Sequence, residues 1–454
     1  MAGPDPSLPP AAPPGPRGTL LGGNLAAFAA DPLAFLAACT RDHGDFVALR
    51  FLRTRTVLIN DHDAIEQVLF TQSRRFPKAA PGGRSFVQRV FGHGLLTSEG
   101  DFWVRQRRLM QPAFHRPRTA VYAPVIVDLA REMMASWQPG EVRDLHADLT
   151  TLAARVLLRA LFGTPVPPAI DTFQQLSRES MEQMRRLPNP LTALRALLPG
   201  GFHARFHAMM DAVDHFIATQ IAAHRAGQGD PADILTMMLA ARDDQGQGMS
   251  DVQLRDELMT LIAAGLDTTV LAMSWSCELL ARHPDAAARL QAELESVLGG
   301  RPPGLADLER LPYTQAVLRE AMRLYPPGWM MTRTAAEDTV LGGFLVPRGT
   351  QVMISQWLKH RDARLFPEPD VFRPERWLPA PSLPRFGYFP FGGGGRVCIG
   401  SGLALMEAPL GLAALWQRFS LEPVEAQPTR PWASLTLQPE GGLPLRLRGR
   451  ERGR

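Results

Sequence analysis

The 454-residue chain is 45% hydrophobic, enough to bury a large core, and its length alone is compatible with about three domains. Formal net charge is only +4, and only Lys78 and Lys359 among the 49 basic residues are lysine, which reads as the Arg-rich usage of a GC-rich genome. No RNA- or DNA-binding motif interleaves basic and aromatic residues, so no nucleic-acid partner is expected. Cys39, Cys277 and Cys398 are far apart and form no CxxC or CxxCH, which argues against disulfides, zinc and covalently attached haem and fits a reducing cytosol.

Met1 to Gly18 is Pro-rich, has neither the basic start nor the apolar run of a signal peptide, and reads as a loose lead-in. From Leu20 to Ala38 the apolar residues are interrupted by Gly22, Gly23, Asn24, Asp31 and Pro32, short of the roughly 18 that a spanning helix requires. No transmembrane segment is expected there. Phe46 to Phe51 and Thr56 to Ile59 read as a hairpin and Ala64 to Leu69 as a short helix. Lys78 to Gly94 is a long glycine-rich loop carrying Phe86, Val87, Val90 and Phe91, and loops of this length inside a compact domain are usually functional or disordered. Trp103 and Arg107 then share one helix face at i and i+4, and Arg105, Arg108, Arg116 and Arg118 form a basic patch.

Thr119 to Trp137, His146 to Phe162, Ile170 to Met184 and Phe202 to His224 have helical spacing broken by Pro and Gly. His203, His207, Asp211 and His215 recur every four residues, but the Glu of an HExxH site is missing and the row reads as a polar helix face. Ser250 and Gln253 form a capping box, and the proline-free run to His283 predicts a helix of about 50 Å. Near its middle Ala264-Gly265-Leu266-Asp267-Thr268-Thr269 gathers poor helix formers, so a local opening is expected. Pro312 to Tyr325 is a further helix with Glu320 and Arg323 at i and i+3, stopped by Pro326-Pro327 and followed by Trp329, Met330 and Met331. Thr339 to Val346 and Gln351 to Ser355 read as hairpins around Gly342-Gly343 and Arg348-Gly349.

Phe391 to Gly400, reading FGGGGRVCIG, places four consecutive glycines beside Cys398. Glycines let a loop come into close contact with a bulky flat ligand, and a buried thiolate makes sense only when a metal neutralises it. One lone cysteine points to haem iron in preference to zinc. Leu403 to Phe419 follows as a helix, and the chain ends in strands around Glu440-Gly441-Gly442 and an Arg-rich tail.

This loop resembles the haem-binding loop FxxGxRxCxG of the cytochrome P-450 family, with Phe391, Gly394, Arg396, Cys398 and Gly400 all matching. The resemblance covers nearly the whole chain and implies one haem domain over 19–454. The implied fold is mainly α with small β-sheets, its long central helix lying over the haem. It makes Cys398 the axial ligand of non-covalent haem b and assigns Trp103, Arg107 and Arg333 to the propionates. Ala264 and Gly265 would leave room above the iron, and Asp267 with Thr268 would handle protons. Glu320, Arg323 and Arg376, the last in Phe372-Arg-Pro-Glu-Arg376-Trp, would form a buried ion cluster. Phe86, Val87, Phe91, Ala264, Trp329, Met330 and Met331 would line the substrate pocket, and the basic patch would receive an acidic redox partner.

The expected activity is that of a cytoplasmic haem-thiolate monooxygenase, taking electrons from a ferredoxin- or flavodoxin-type donor with its reductase and using O2. It would touch a membrane at most peripherally, to collect a lipophilic substrate. A haem-thiolate sensor or electron-transfer protein would need Cys398 but not Asp267 and Thr268. The stretch EAMRLYPPGWMMTR from Glu320 and the ending PEGGLPLRLR look especially like bacterial carotenoid hydroxylases, so a carotenoid is the expected substrate, with a fatty acid second.

Overall fold

The structure, a computed structural model, describes residues 12–78, 91–163 and 202–449. The helix expected over 170–184, the loop residues Phe86, Val87 and Val90, and the end of the Arg-rich tail lie outside the described residues. The longer α-helices described are α1 (Leu25–Ala30), α2 (Pro32–His43), α3 (Gly100–Met110), α4 (Tyr122–Met133), α5 (Leu145–Phe162) and α6 (Phe202–Arg225). They continue with α7 (Ile234–Ala240), α8 (Asp251–Arg282), α9 (Pro284–Leu298), α10 (Pro312–Leu324) and α11 (Ser401–Arg418). The strands are β1 (Phe46–Phe51), β2 (Thr54–Ile59), β3 (Val142–Asp144), β4 (Met331–Thr334), β5 (Thr339–Leu341) and β6 (Phe344–Val346). After them come β7 (Gln351–Ile354), β8 (Phe419–Pro423), β9 (Pro431–Ala433), β10 (Leu437–Pro439) and β11 (Pro444–Gly449). The chain forms two compact units from interleaved stretches: Met1–Phe86, Met322–Phe372 and Ala380–Cys398 make the first, and Val87–Ala321, Arg373–Pro379 and Ile399–Arg454 the second.

The first unit is organised by a four-stranded sheet in the order β1-β2-β7-β4. β1 and β2 pair antiparallel as expected, and the turn between them holds Leu52 at φ 54. β5 and β6 form the expected hairpin around Gly342-Gly343, but β7 does not pair with β6: it lies parallel to β2 and antiparallel to β4. Val352, Met353 and Ile354 are consecutive and all buried, a run that suits an interior strand with neighbours on both sides. The short helix expected over Ala64 to Leu69 is present, as an α-helical stretch His62–Glu66, capped by Asp61, that continues into a π-helical turn Gln67–Thr71. The presumed lead-in is anchored from its described start, because the Ala48 amide donates to Pro14 O at 2.8 Å and Pro13 is buried.

In the second unit α8 packs against α5, α6 and α11, with the small sheets β3-β11-β8 and β9-β10 beside it. Its capping box is present, the Gln253 amide donating to Ser250 Oγ and the Ser250 amide to Gln253 Oε1. By length and composition α8 could cross a membrane, yet 72% of its apolar window is buried in protein, as in the core helix of a folded domain. Trp275 Nε1 donates to Leu437 O at 2.9 Å and ties the helix to β10. The opening expected at Ala264 to Thr269 is not there: α8 is helical throughout. Thr268 Oγ1 donates back to Ala264 O at 2.9 Å within this regular helix.

Candidate functional site

In the first unit the cysteine loop is a series of tight turns. The Gly392 amide donates to Phe389 O, the Val397 amide to Gly394 O and the Cys398 amide to Phe391 O at 3.0 Å. Gly392 and Gly394 take φ of 70 and 66, which side chains resist. The glycines are not all cleared for a ligand. A Cβ at Gly394 would run into the Leu69 carbonyl, and one at Gly393 into the Phe386 ring, so the chain's own packing requires both. A Cβ at Gly392 would only touch Met331 Cε, at 3.6 Å. Cys398 is exposed, whereas Cys39 and Cys277 are buried. Burial, then nearby Asp42 and Glu278, pushes those two thiols up to about 11 and about 12. Cys398 is therefore the thiol available to a metal.

The approach to this loop is held by a buried histidine. His360 Nε2 accepts from the Phe389 amide at 3.0 Å, and burial, with Arg323 and Arg361 nearby, pushes the imidazole down to about 3 and keeps it neutral. Arg323 donates to the carbonyls of His360, Pro369 and Val371 at 2.9, 2.6 and 3.3 Å. Arg333, on β4, is buried and donates to Thr332 O. Met330 and Met331 are half-buried, while Trp329 is in the core with its ring stacked on Phe28. Phe391, Arg396 and Gly400 are half-buried along the loop.

In the second unit Ala264 is exposed on α8, and Asp267 and Thr268 are half-buried. Gly265 faces α5, where a Cβ would lie 3.0 and 3.1 Å from the Leu157 methyls, so this glycine serves helix packing. Asp267 Oδ2 accepts from Thr436 Oγ1 at 2.5 Å and Gln438 Nε2 at 2.7 Å. Nearby His146 bonds Ser274 Oγ at 3.1 Å, and burial pushes its imidazole down against the opposing pull of Asp267 and Asp144. Glu320, fully buried, accepts from Arg376 Nε at 2.9 Å, the Arg373 amide at 3.0 Å and Trp377 Nε1 at 2.9 Å. Trp103 and Arg107 are half-buried on α3, and Phe91 is half-buried before it. The basic patch is partly neutralised: Arg105 pairs with Asp243 at 2.6 Å, Arg108 with Asp244 and Arg116 with Glu309. His207, Asp211 and His215 are exposed along α6. Thr436, Gln438 and His360 were missed from sequence, because no local spacing links them to the residues they hold.

Among the described residues no group of three or more His, Cys, Asp and Glu could hold a metal, which leaves a single thiolate, the donor set of a haem-thiolate protein. The chain belongs to the cytochrome P450 family, whose family model, described as Cytochrome P450, matches residues 13–445. It is a cytochrome P450 monooxygenase carrying haem b with an axial cysteine thiolate. It is 40% identical over 427 residues to cyclooctatin synthase of Streptomyces melanosporofaciens, covering 93% of this chain and 92% of that one. Pentalenene oxygenase of Streptomyces avermitilis is 32% identical over 438 residues, covering 93% and 94%. The solved structure of retinoic acid bound cyanobacterial CYP120A1 shares the fold, with TM-score 0.85 at 24% identity over 97% of this chain and 100% of that one. Neither of the two sequence relatives is named as a carotenoid hydroxylase, so the resemblance read from Glu320 to Arg333 holds only at the broader level of the family.

Proposed function

We propose that the chain hydroxylates a terpenoid, inserting one atom of O2 at an unactivated C–H bond. The observation that carries this is the 40% identity to cyclooctatin synthase over 93% of the chain. Cys398 fits as the ligand, being the exposed thiol in a turn that Gly392 and Gly394 allow to bend tightly. Haem supplies the redox-active iron at which O2 is reduced and cleaved. Phe391, Arg396 and Gly400 shape the loop, and Trp103, Arg107 and Arg333 are assigned to the haem carboxylates, for which a guanidinium fork is suited. Asp267 and Thr268 handle protons. Glu320 accepts from Arg376 and from backbone and indole donors, Arg323 donates to backbone carbonyls, and the three serve the architecture and not the chemistry. The substrate pocket is assigned to Phe86, Val87, Phe91, Ala264, Trp329, Met330 and Met331, which offer apolar contact and no charge. Residues 19–454 act as one haem domain, in keeping with a family match that runs through both units.

Electrons come from a separate ferredoxin- or flavodoxin-type protein and its reductase. The enzyme works in the cytoplasm and meets a membrane only peripherally. Carotenoids belong to the same isoprenoid class and stay in the substrate panel, with a fatty acid as the competing class. The test is incubation of the purified holoprotein with a surrogate ferredoxin system and cyclic diterpenes, cyclic sesquiterpenes, carotenoids and fatty acids, reading product masses. Oxygenated product from a terpenoid is expected. Turnover of fatty acids alone would overturn the substrate assignment.

A further inference from the structure

We propose that Asp256 and Glu257, adjacent carboxylates of α8, are positioning residues that grip residues 92–95 by their amides and so fix the place of Phe91 in the substrate pocket. The His93 amide donates to Asp256 Oδ2 at 2.7 Å and the Leu95 amide to Glu257 Oε2 at 2.8 Å. A carboxylate acceptor makes such bonds short and strong. Both contacts need the glycines beside them. Gly92 takes φ 61 and a Cβ there would run into the Asp256 carboxylate, while one at Gly94 would run into Thr260 Oγ1 and Asp256 O. Thr97 Oγ1 donates to Gly92 O at 2.6 Å, and the Thr97 and Ser98 amides donate to Gly94 O at 3.0 and 2.9 Å, so the segment is a closed turn. Phe91 is joined to that turn by one peptide bond.

The pair is held at a cost to stability. Glu257 is fully buried and Asp256 nearly so, and burial pushes the Glu257 carboxyl up to about 7 against the opposing pull of the Leu95 amide. Arg255 Nη1 neutralises Asp256 from 2.9 Å, and Arg255 is itself held by both oxygens of Asp214 on α6, at 2.7 and 2.9 Å. Apolar side chains would fill the same interior at lower cost, so what two buried carboxylates contribute is a defined backbone position. That position is referenced to α8, which is packed against α5, α6 and α11 and is rigid on the scale of a turn.

This deepens the assignment of Phe91 to the pocket made above, on which it rests, and its test needs no turnover. Purified holoprotein is titrated with imidazole and with phenylimidazole, which both bind haem iron through a ring nitrogen and differ by one phenyl group, so the ratio of their affinities reports apolar contact beside the iron. Phe91→Ala is expected to weaken phenylimidazole about fivefold or more, the worth of one aromatic contact, and imidazole less than about twofold. Glu257→Leu and Asp256→Ala should do the same, although both act through the backbone. Glu257→Gln keeps an oxygen for the Leu95 amide and should stay within about twofold of wild type. Gly94→Ala displaces the segment without removing either carboxylate and should match Glu257→Leu, which keeps the test decisive where a carboxylate variant fails to fold. An unchanged spectrum of the reduced CO complex verifies the haem site of each variant. A ratio lowered by Phe91→Ala but unchanged in Glu257→Leu, Asp256→Ala and Gly94→Ala overturns the grip alone. A ratio unchanged in Phe91→Ala overturns the pocket assignment and the grip with it. Equal loss of both azoles in the carboxylate variants, or a loss in Glu257→Gln as large as in Glu257→Leu, assigns the pair to general stability and overturns the proposal.

Discussion

Arg376→Met separates a buried ion pair from a surface one. Glu320 is fully buried and accepts from Arg376 Nε, the Arg373 amide and Trp377 Nε1, all at 2.9 to 3.0 Å. Methionine keeps much of the arginine's length but removes the charge, taking the Arg376 guanidinium from a carboxylate in the interior. Breaking such a pair from one side costs about 3–5 kcal/mol, against total stabilities of about 5–15 kcal/mol. Glu320→Gln keeps an oxygen for the Arg373 amide and Trp377 Nε1, so the expected cost is smaller, about 1–3 kcal/mol. Joining the two substitutions removes both charges and should cost less than their sum by about 2 kcal/mol, the signature of direct coupling. The assay is urea unfolding followed by tryptophan fluorescence and by loss of the haem absorption band. Turnover per bound haem should not change. A cost below about 1 kcal/mol for Arg376→Met, or strict additivity in the cycle, would refute the reasoning.

Cys398→Ala should abolish the thiolate-type spectrum of the reduced CO complex, while Cys39→Ala and Cys277→Ala keep it; the reverse pattern would move the ligand. Thr268→Ala removes a back-bond on a half-buried turn, so stability should change by less than about 0.5 kcal/mol while product formed per reducing equivalent falls and hydrogen peroxide rises. Undiminished coupling would take Thr268 out of proton handling. Burial pushes the Glu407 carboxyl up from 4.5 to about 8, so the folded chain keeps a proton that the unfolded chain has released. Stability is therefore lost as pH rises from about 4.5 to about 8, by an amount on the order of a few kcal/mol, and flattens above that. Glu407→Gln should remove that slope, and parallel pH profiles of unfolding free energy in variant and wild type would contradict the assignment.

What could be read from sequence was whatever chemistry is written locally. Ser250 and Gln253 are three residues apart and make the capping box they advertise, and the polar turn between Phe51 and Thr56 makes a hairpin. The cysteine loop was found because its glycines and its thiol are neighbours. The reason for Gly393 and Gly394 was not legible, since the Phe386 ring and the Leu69 carbonyl that demand them belong to other turns of the chain. The same holds for β7, whose partner β2 is nearly 300 residues earlier and whose apolar run fits an interior strand wherever one is needed. It also holds for Asp267, held by Thr436 and Gln438 across 169 and 171 residues with no motif between them.

The failed expectation about α8 shows how a segment of poor helix formers can stay regular. Ala264 to Thr269 is poor in helix propensity, yet Gly265 and Asp267 each make a contact outside propensity itself. Gly265 lets Leu157 of α5 come close, Asp267 is turned into the Thr436 and Gln438 side chains, and Thr268 spends its hydroxyl on Ala264 O. The helix is continuous through all of them. The same inventory sets what proton handling by Thr268 requires. Its hydroxyl must give up Ala264 O before it can donate elsewhere, and a bond of this kind contributes only about 1 kcal/mol net. Ala264 is exposed, so its carbonyl can turn to water when the hydroxyl leaves. On this reasoning the segment stores no kink: it has a donor that can be exchanged at low cost, beside a carboxyl whose position β10 and the residue before it hold fixed.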